Sequence, residues 1–171
     1  MSTILNTNGV ELKVPVPVDP EKFTCVVLTA DWNPAVTHAL RDGALEVMRK
    51  AGVPQGNVLS LPVPGTVELV YGAARAAREL SPSAIIVIGC VIRGDTPHFD
   101  YVCQQAAQGV ATLNAAGEVP VIFGVLTVDN LRQALDRAGG TLGNKGAEAA
   151  AAAIEMANLT SDLASSTLPG A

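Results

Sequence analysis

Positive charge is scarce in this sequence. Its 171 residues carry 11 Lys and Arg against 16 Asp and Glu, a formal net charge of -5, and the basic footprint of a nucleic-acid binder is missing. A nucleic-acid partner is excluded on that ground. Cysteine is scarce too: Cys25, Cys90 and Cys103 form no CxxC and no Cys/His cluster at zinc spacing, so a reducing compartment and no metal are expected. Long apolar runs are also lacking. The longest, from Ala84 to Ile92, falls far short of the roughly 20 residues a membrane helix needs. The start of the chain has no basic segment and no apolar signal core, so a cytoplasmic protein with no membrane partner is expected. No GxGxxG follows the first strand, and "GTLGNKG" (140–146) has Gly146 where a phosphate loop needs Ser or Thr, which disfavours both common nucleotide-binding motifs.

What is present alternates. From Phe23 onward, short β-branched runs follow amphipathic stretches, the signature of βαβ units around a parallel sheet. Strands are predicted at 23–30 ("FTCVVLTA"), 57–63 ("NVLSLPV"), 84–92 ("AIIVIGCVI") and 120–127 ("PVIFGVLT"). The third is apolar without alternation and reads as the buried centre of the sheet. The first helix opens at Asn33 as cap with Pro34 at its first position and closes at Gly52. The second follows the Pro64-Gly65 turn and is ended by Ser81-Pro82. The third has Thr96 as cap and Pro97 as first residue, and breaks at Gly117. A short fourth helix is capped by Asp129 and stops at Gly139-Gly140, and an alanine-rich fifth covers roughly 145–159. The fold class is therefore α/β, a three-layer αβα sandwich with a central, mainly parallel four-stranded sheet over 23–159. A proline-spaced arm or edge strand (1–22) and a flexible tail (160–171) flank it.

Open α/β sheets bind ligands outside the carboxyl ends of their strands, so the loops after the four strands are where chemistry is sought. Trp32, the only tryptophan, either offers a flat face for a planar heterocycle or packs its own loop onto the sheet. His98, in the first turn of the third helix, is a general acid or base or else an ordinary helix-start residue; histidine is the side chain that titrates nearest neutrality. His38, inside the first helix without polar company, reads as structural. The stretch "RGDT" before Pro97 leaves backbone N–H groups and a hydroxyl ready for an anion, although Asp95 opposes one unless it turns away or pairs with Arg93. Glu68 at the start of the second helix is favoured there by the dipole whatever its role. A helix from about 130 to 138 rises roughly 13 Å, at about 1.5 Å per residue, away from the strand ends, so Arg137 should not easily reach its own chain's site.

Five segments taken together resemble the lumazine synthase family: Trp32-Asn33, "PGTVE" (64–68), "GCVIRGDTPHFDYV" (89–102), "PVIFGVLT" and "ALDRAGGTLGNKG" (134–146). The resemblance covers Phe23 to about Leu159 and implies the flavodoxin-like strand order 2-1-3-4. It also implies condensation of 5-amino-6-ribitylaminouracil with 3,4-dihydroxy-2-butanone 4-phosphate, without metal or organic cofactor. In that picture Trp32 stacks on the pyrimidine. Asn33, Thr66, Val67, Glu68 and the backbone of Cys90, Val91 and Ile92 hold the ring and ribityl chain. Asp95 and Thr96 meet the butanone phosphate, and His98 shuttles protons. Family precedent places Phe123, Lys145 and Arg137 in the adjacent subunit's site, with Arg137 on the phosphate. The family assembles as pentamers, many of which build sixty-subunit shells, and association with riboflavin synthase is a further possibility. The glycine-rich turn shows no insertion, which leans toward the shell. Val67 departs from the aromatic residue that many members carry. Two rivals stay open at this point: a flavodoxin-like binding module without catalysis, and a shell-forming scaffold.

Overall fold

In a computed structural model of the chain, residues 10–167 are described. Four parallel strands, β1 (Cys25–Ala30), β2 (Val58–Val63), β3 (Ala84–Ile92) and β4 (Val121–Val128), form one sheet in the order β2-β1-β3-β4. This is the strand order expected. In-register pairing runs Cys25 to Val58, Cys25 to Ala84 and Ile85 to Val121. β1 is buried throughout, and β3 is buried except for Val91 and Ile92 at its carboxyl end. Apolar residues without alternation give strands covered on both faces, as the helices then do. Among the described residues no helix is long and apolar enough to cross a membrane.

Helices α1 (Pro34–Lys50) and α5 (Lys145–Ser165) cover one face, and α2 (Glu68–Leu80) and α3 (His98–Ala116) the other. A short α4 (Leu131–Asp136) follows β4. The glycine-rich turn expected after it is a small antiparallel hairpin, β5 (Ala138–Gly140) and β6 (Gly143–Asn144). α5 runs to Ser165, beyond the 145–159 alanine pattern, because Leu159 and Leu163 continue it without a breaker. Residues 1–9 of the expected arm or edge strand lie outside the described residues, and residues 10–22 add no strand to the four-stranded sheet. Asn158 on α5 holds the Val16–Val18 stretch, accepting from the Val18 N–H at 2.9 Å and donating to the Val16 carbonyl at 3.0 Å.

Three helix starts differ from the sequence reading. Asn33 does not cap α1 with its side chain: it sits in the left-handed region (φ 60°), which Asn tolerates better than other residues with a Cβ. Asn130 rather than Asp129 caps α4, accepting from the Gln133 N–H. The Gln133 side chain in turn accepts from the Asp129 N–H. α3 begins at His98 with no side-chain cap bond, so the Thr96 hydroxyl is not consumed by capping.

Small residues let α5 lie close to α1 and the sheet. Ala147, Ala150, Ala153 and Ile154 are fully buried. A Cβ on Gly146 would collide with the Leu40 backbone carbonyl on α1. Backbone cannot yield as a flexible side chain does. Gly146→Ala is therefore expected to cost about 1–3 kcal/mol or more through overpacking. Gly56→Ala, where nothing lies within 4 Å, should stay within about 0.5 kcal/mol of the parent. Urea unfolding of the two variants checks this, and equal midpoints would remove the argument for a close α1–α5 crossing.

Candidate active site

The carboxyl edge of the sheet is knit by hydrogen bonds between its loops. The Asp31 N–H donates to Val63 carbonyl at 2.9 Å, tying the loop after β1 to the end of β2. The Asn33 side-chain amide donates to the Cys90 carbonyl at 2.9 Å, tying that loop to β3. The Arg93 N–H donates to the Val128 carbonyl at 2.8 Å, joining the ends of β3 and β4. The left-handed turn at Asn33 is what aims its amide across at β3.

These ties frame a cleft of about 460 Å³. Its wall brings together Trp32, Asn33, Thr66, Val67, Glu68, Cys90, Val91, Ile92 and His98, with Gly65 and Val102 besides. Trp32 is 72% exposed, so its ring is not packed down onto the sheet and its face is open to a ligand. A Cβ on Gly65 would stand 2.9 Å from the Glu68 carboxylate and 3.4 Å from the indole edge; the bare glycine lets acid and ring share one wall. Thr66 is buried over Gly89 of β3 by the same device. Burial pushes the Cys90 thiol up to about 11, which keeps it protonated at neutral pH and leaves its carbonyl as the useful group. Asp95 and Thr96 are exposed in the loop ahead of His98. Arg93 does not pair with Asp95; it bonds Asp129 and Asp100 instead. His38 lies exposed on α1, away from the cleft lining.

Phe123, Arg137 and Lys145 lie elsewhere. They line a second cleft, also about 460 Å³, along β4 with α4 and α5. Phe123 is 39% exposed there. Arg137 follows the last residue of α4, and its guanidinium donates to the Gln133 carbonyl at 2.9 Å. The Lys145 ammonium meets the Glu148 carboxylate at 2.7 Å. Most residues singled out from the sequence thus fall into two separate groups on one chain, while Asp95 and Thr96 line neither cleft. The first cleft has an indole, an imidazole and a carboxylate but no lysine or arginine in its wall. The second has two cations and a phenyl ring but no histidine.

Among the lining residues not singled out as site candidates from the sequence are Gly65, Val102, Gln133 and Glu148. Val102 sits four residues after His98, a helical spacing that would have found it. Glu148, three after Lys145 at a helix start, was open to the same test. Gln133 acts through its carbonyl toward Arg137 and its side chain toward the Asp129 N–H, contacts without a sequence pattern, while Gly65 was seen as part of the Pro64-Gly65 turn and not as a wall of the cleft. Among the described residues no group of three His, Cys, Asp or Glu stands close enough to hold a metal ion.

An open parallel α/β sheet with a polar, aromatic-walled cleft at its carboxyl edge defines a small-molecule-binding protein of the doubly wound class. The chain belongs, more particularly, to the 6,7-dimethyl-8-ribityllumazine synthase family, whose model matches residues 22–161. It is 53% identical over 135 residues to the 6,7-dimethyl-8-ribityllumazine synthase of Bacteroides fragilis, covering 79% of this chain and 93% of that protein. Identity to the enzyme of the same name from Porphyromonas gingivalis is 50% over 133 residues, 78% of this chain and 83% of that one. For that from Parabacteroides distasonis it is 46% over 142 residues, 83% and 89%.

The Asn33 bond can be tested by charge. In Asn33→Asp an ionised carboxylate would face the Cys90 carbonyl, acceptor against acceptor, at a cost of about 1–3 kcal/mol at neutral pH. The folded state then disfavours the charged form and raises the new group's pKa above the usual ~3.9. Relative stability should return as pH falls through that raised value, where the protonated acid donates again. Urea midpoints for variant and parent at pH 7 and at about pH 4.5 measure it; a gap that does not narrow contradicts the bond.

Proposed function

We propose that the protein condenses 5-amino-6-ribitylaminouracil with 3,4-dihydroxy-2-butanone 4-phosphate to 6,7-dimethyl-8-ribityllumazine, phosphate and water, as a transferase of riboflavin biosynthesis. The observation that carries the reading is the division of the site: the first cleft holds a histidine and no lysine or arginine, the second a lysine and an arginine and no histidine. A site completed between two copies has all of it, with self-association in the pentamers of the family, open to assembly into a sixty-subunit shell and to association with riboflavin synthase, in the cytoplasm.

In this reading the pyrimidine stacks on Trp32 while Glu68, Asn33 and the Thr66-Val67 segment hold its polar edge and ribityl chain. Lys145 and Phe123 of the neighbouring copy close over it. The butanone phosphate lies toward Asp95 and Thr96, with the neighbouring copy's Arg137 against its phosphate. The aryl amine attacks the ketone carbon, and His98 carries the proton from nitrogen to the developing hydroxyl, which leaves as water to give a C=N bond. Loss of the proton from the carbinol carbon expels phosphate from the next carbon, where Arg137 stabilises the departing anion. The resulting enol becomes a ketone. The ribityl-bearing nitrogen attacks that ketone, and a second water leaves as the ring closes. Holding two substrates in register accounts for roughly 7–11 kcal/mol of such a barrier, and a histidine shuttle for about 10²–10⁴-fold in rate.

His98→Ala should therefore slow lumazine formation without abolishing it, whereas Arg137→Ala should lose most activity. Mixing the two substrates and following lumazine absorbance and fluorescence reads both. A fully active Arg137→Ala protein contradicts the assignment. Refolding Trp32→Ala with Arg137→Ala in equal amounts separates a shared site from one enclosed in a single chain. With halves from two copies, about one quarter of interfaces regain both intact residues, and activity should return to about that fraction. No recovery in verified mixed assemblies would place each site within one chain.

A further inference from the structure

The proposed reaction leaves an electrostatic problem at the entrance to α3, and the inference drawn from it rests on that reaction. A phosphate monoester brings a charge of about -1.5 to -2 at neutral pH. The loop that would receive it contains Asp95, and Asp100 and Asp129 flank it. Like charges disfavour one another most where water is partly excluded. Arg93 stands among these carboxylates. Its Nε donates to Asp129 Oδ1 at 3.1 Å and its Nη1 to Asp100 Oδ1 at 3.3 Å. Its guanidinium carbon lies 4.1 Å from the centroid of the Phe99 ring. Its main-chain N–H is already committed to Val128. Arg93 lines neither cleft.

We propose that Arg93 is a positioning residue for the phosphate half of the reaction: it pins the Gly94–Pro97 loop between β4 and α3 and neutralises Asp100 and Asp129, so that Asp95 alone opposes the incoming anion. An exposed ion pair contributes little to stability by itself. The effect here is one of geometry and field. A planar fork reaches two carboxylates in fixed directions and stacks on a ring, which a lysine ammonium does not reproduce. The clasp has a second consequence within one chain. Asp129 leads into α4, whose far end carries Arg137, so the same guanidinium links the loop that meets phosphate in one site to the helix that sends a cation to the next.

Charge and geometry separate in a set of three variants. Arg93→Gln removes the charge and leaves two carboxylates exposed to the anion. It should raise KM for the butanone phosphate, and the inhibition constant of inorganic phosphate, by about tenfold, with KM for the aminouracil changed less than about twofold and the gap narrowing in high salt. The triple variant Arg93→Gln, Asp100→Asn, Asp129→Asn should recover much of that loss, because the like charges go with the cation. Arg93→Lys, which keeps the charge, should fall between parent and glutamine variant, and it decides the matter if the glutamine variant does not fold. Calorimetric titration of inorganic phosphate into the assembled protein reads the same cradle without turnover. A parent that binds phosphate but forms no lumazine sinks the proposed reaction and leaves the cradle standing. Equal phosphate affinity in parent and variants, a parent that binds no phosphate, both KM values rising together, or a triple variant no better than the single one would each overturn the role given to Arg93.

Discussion

Parallel pairing of the four strands is the constraint on which the rest of the molecule depends. It delivers every strand to the same edge, so that the loops carrying Trp32, Thr66, His98 and Asp129 emerge together although up to about a hundred residues separate them in the chain. Pairing brings the loops near one another; it does not fix them. That is done by the Asp31 to Val63, Asn33 to Cys90 and Arg93 to Val128 bonds, each of which crosses from one strand end to the next. The order β2-β1-β3-β4 places the β1 and β3 ends side by side at the point where the chain reverses its direction of winding. The indole and imidazole cleft opens there, between Asn33 and the segment from Cys90 to Ile92.

The second cleft depends on a different contact. Asn144, the residue before α5, donates to the Ala39 carbonyl on α1 at 2.9 Å while its side-chain oxygen accepts from the Gly146 and Ala147 N–H groups. One side chain thus caps α5 and anchors it to α1, and Lys145 is the first residue of the helix so anchored. The Lys145 N–H donates to the Arg137 carbonyl at 2.9 Å, so both cations of the cleft are fixed by the same crossing. Glycine at 146 and alanines along α5 are what allow the helices to come that close. Alanine-rich composition here is a packing requirement with a chemical result: it positions charge at the open edge of β4.

Strands and helices were legible because each is recorded locally, in β-branched runs and in periodic apolar residues. The continuous apolar run of β3 was enough to place it inside the sheet. Helix caps were less legible because a cap is decided by where a short polar side chain points, and Asn33 had a stronger partner across the sheet at Cys90 than in its own helix. Asp129 and Asn130 are adjacent and equally good caps by type; Asn130 took the role while Arg93 engaged the aspartate. The β5 and β6 hairpin is too short for any periodic signal. Residues of the first cleft could be found from the rule that ligands gather beyond strand ends. Site roles for Phe123, Arg137 and Lys145 came only from family resemblance; the rise of the fourth helix said no more than that Arg137 should not easily reach its own chain's site.

Exposure of the two aromatic walls has a thermodynamic meaning once the site is taken as shared. Trp32 at 72% and Phe123 at 39% stand open, in a chain with only 4% aromatic residues. Apolar surface of this kind gains about 25 cal/mol per Å² when removed from water, so association and ligand enclosure draw on the same surfaces. A ligand that touches both halves then binds the assembled state and not the separated chains, and it strengthens association by the factor with which association strengthens its own binding. Oligomerisation is in that case part of substrate recognition. In the proposed shared site His98 and Arg137 would belong to different molecules, and the interface would supply the free energy of bringing them together before either substrate arrives.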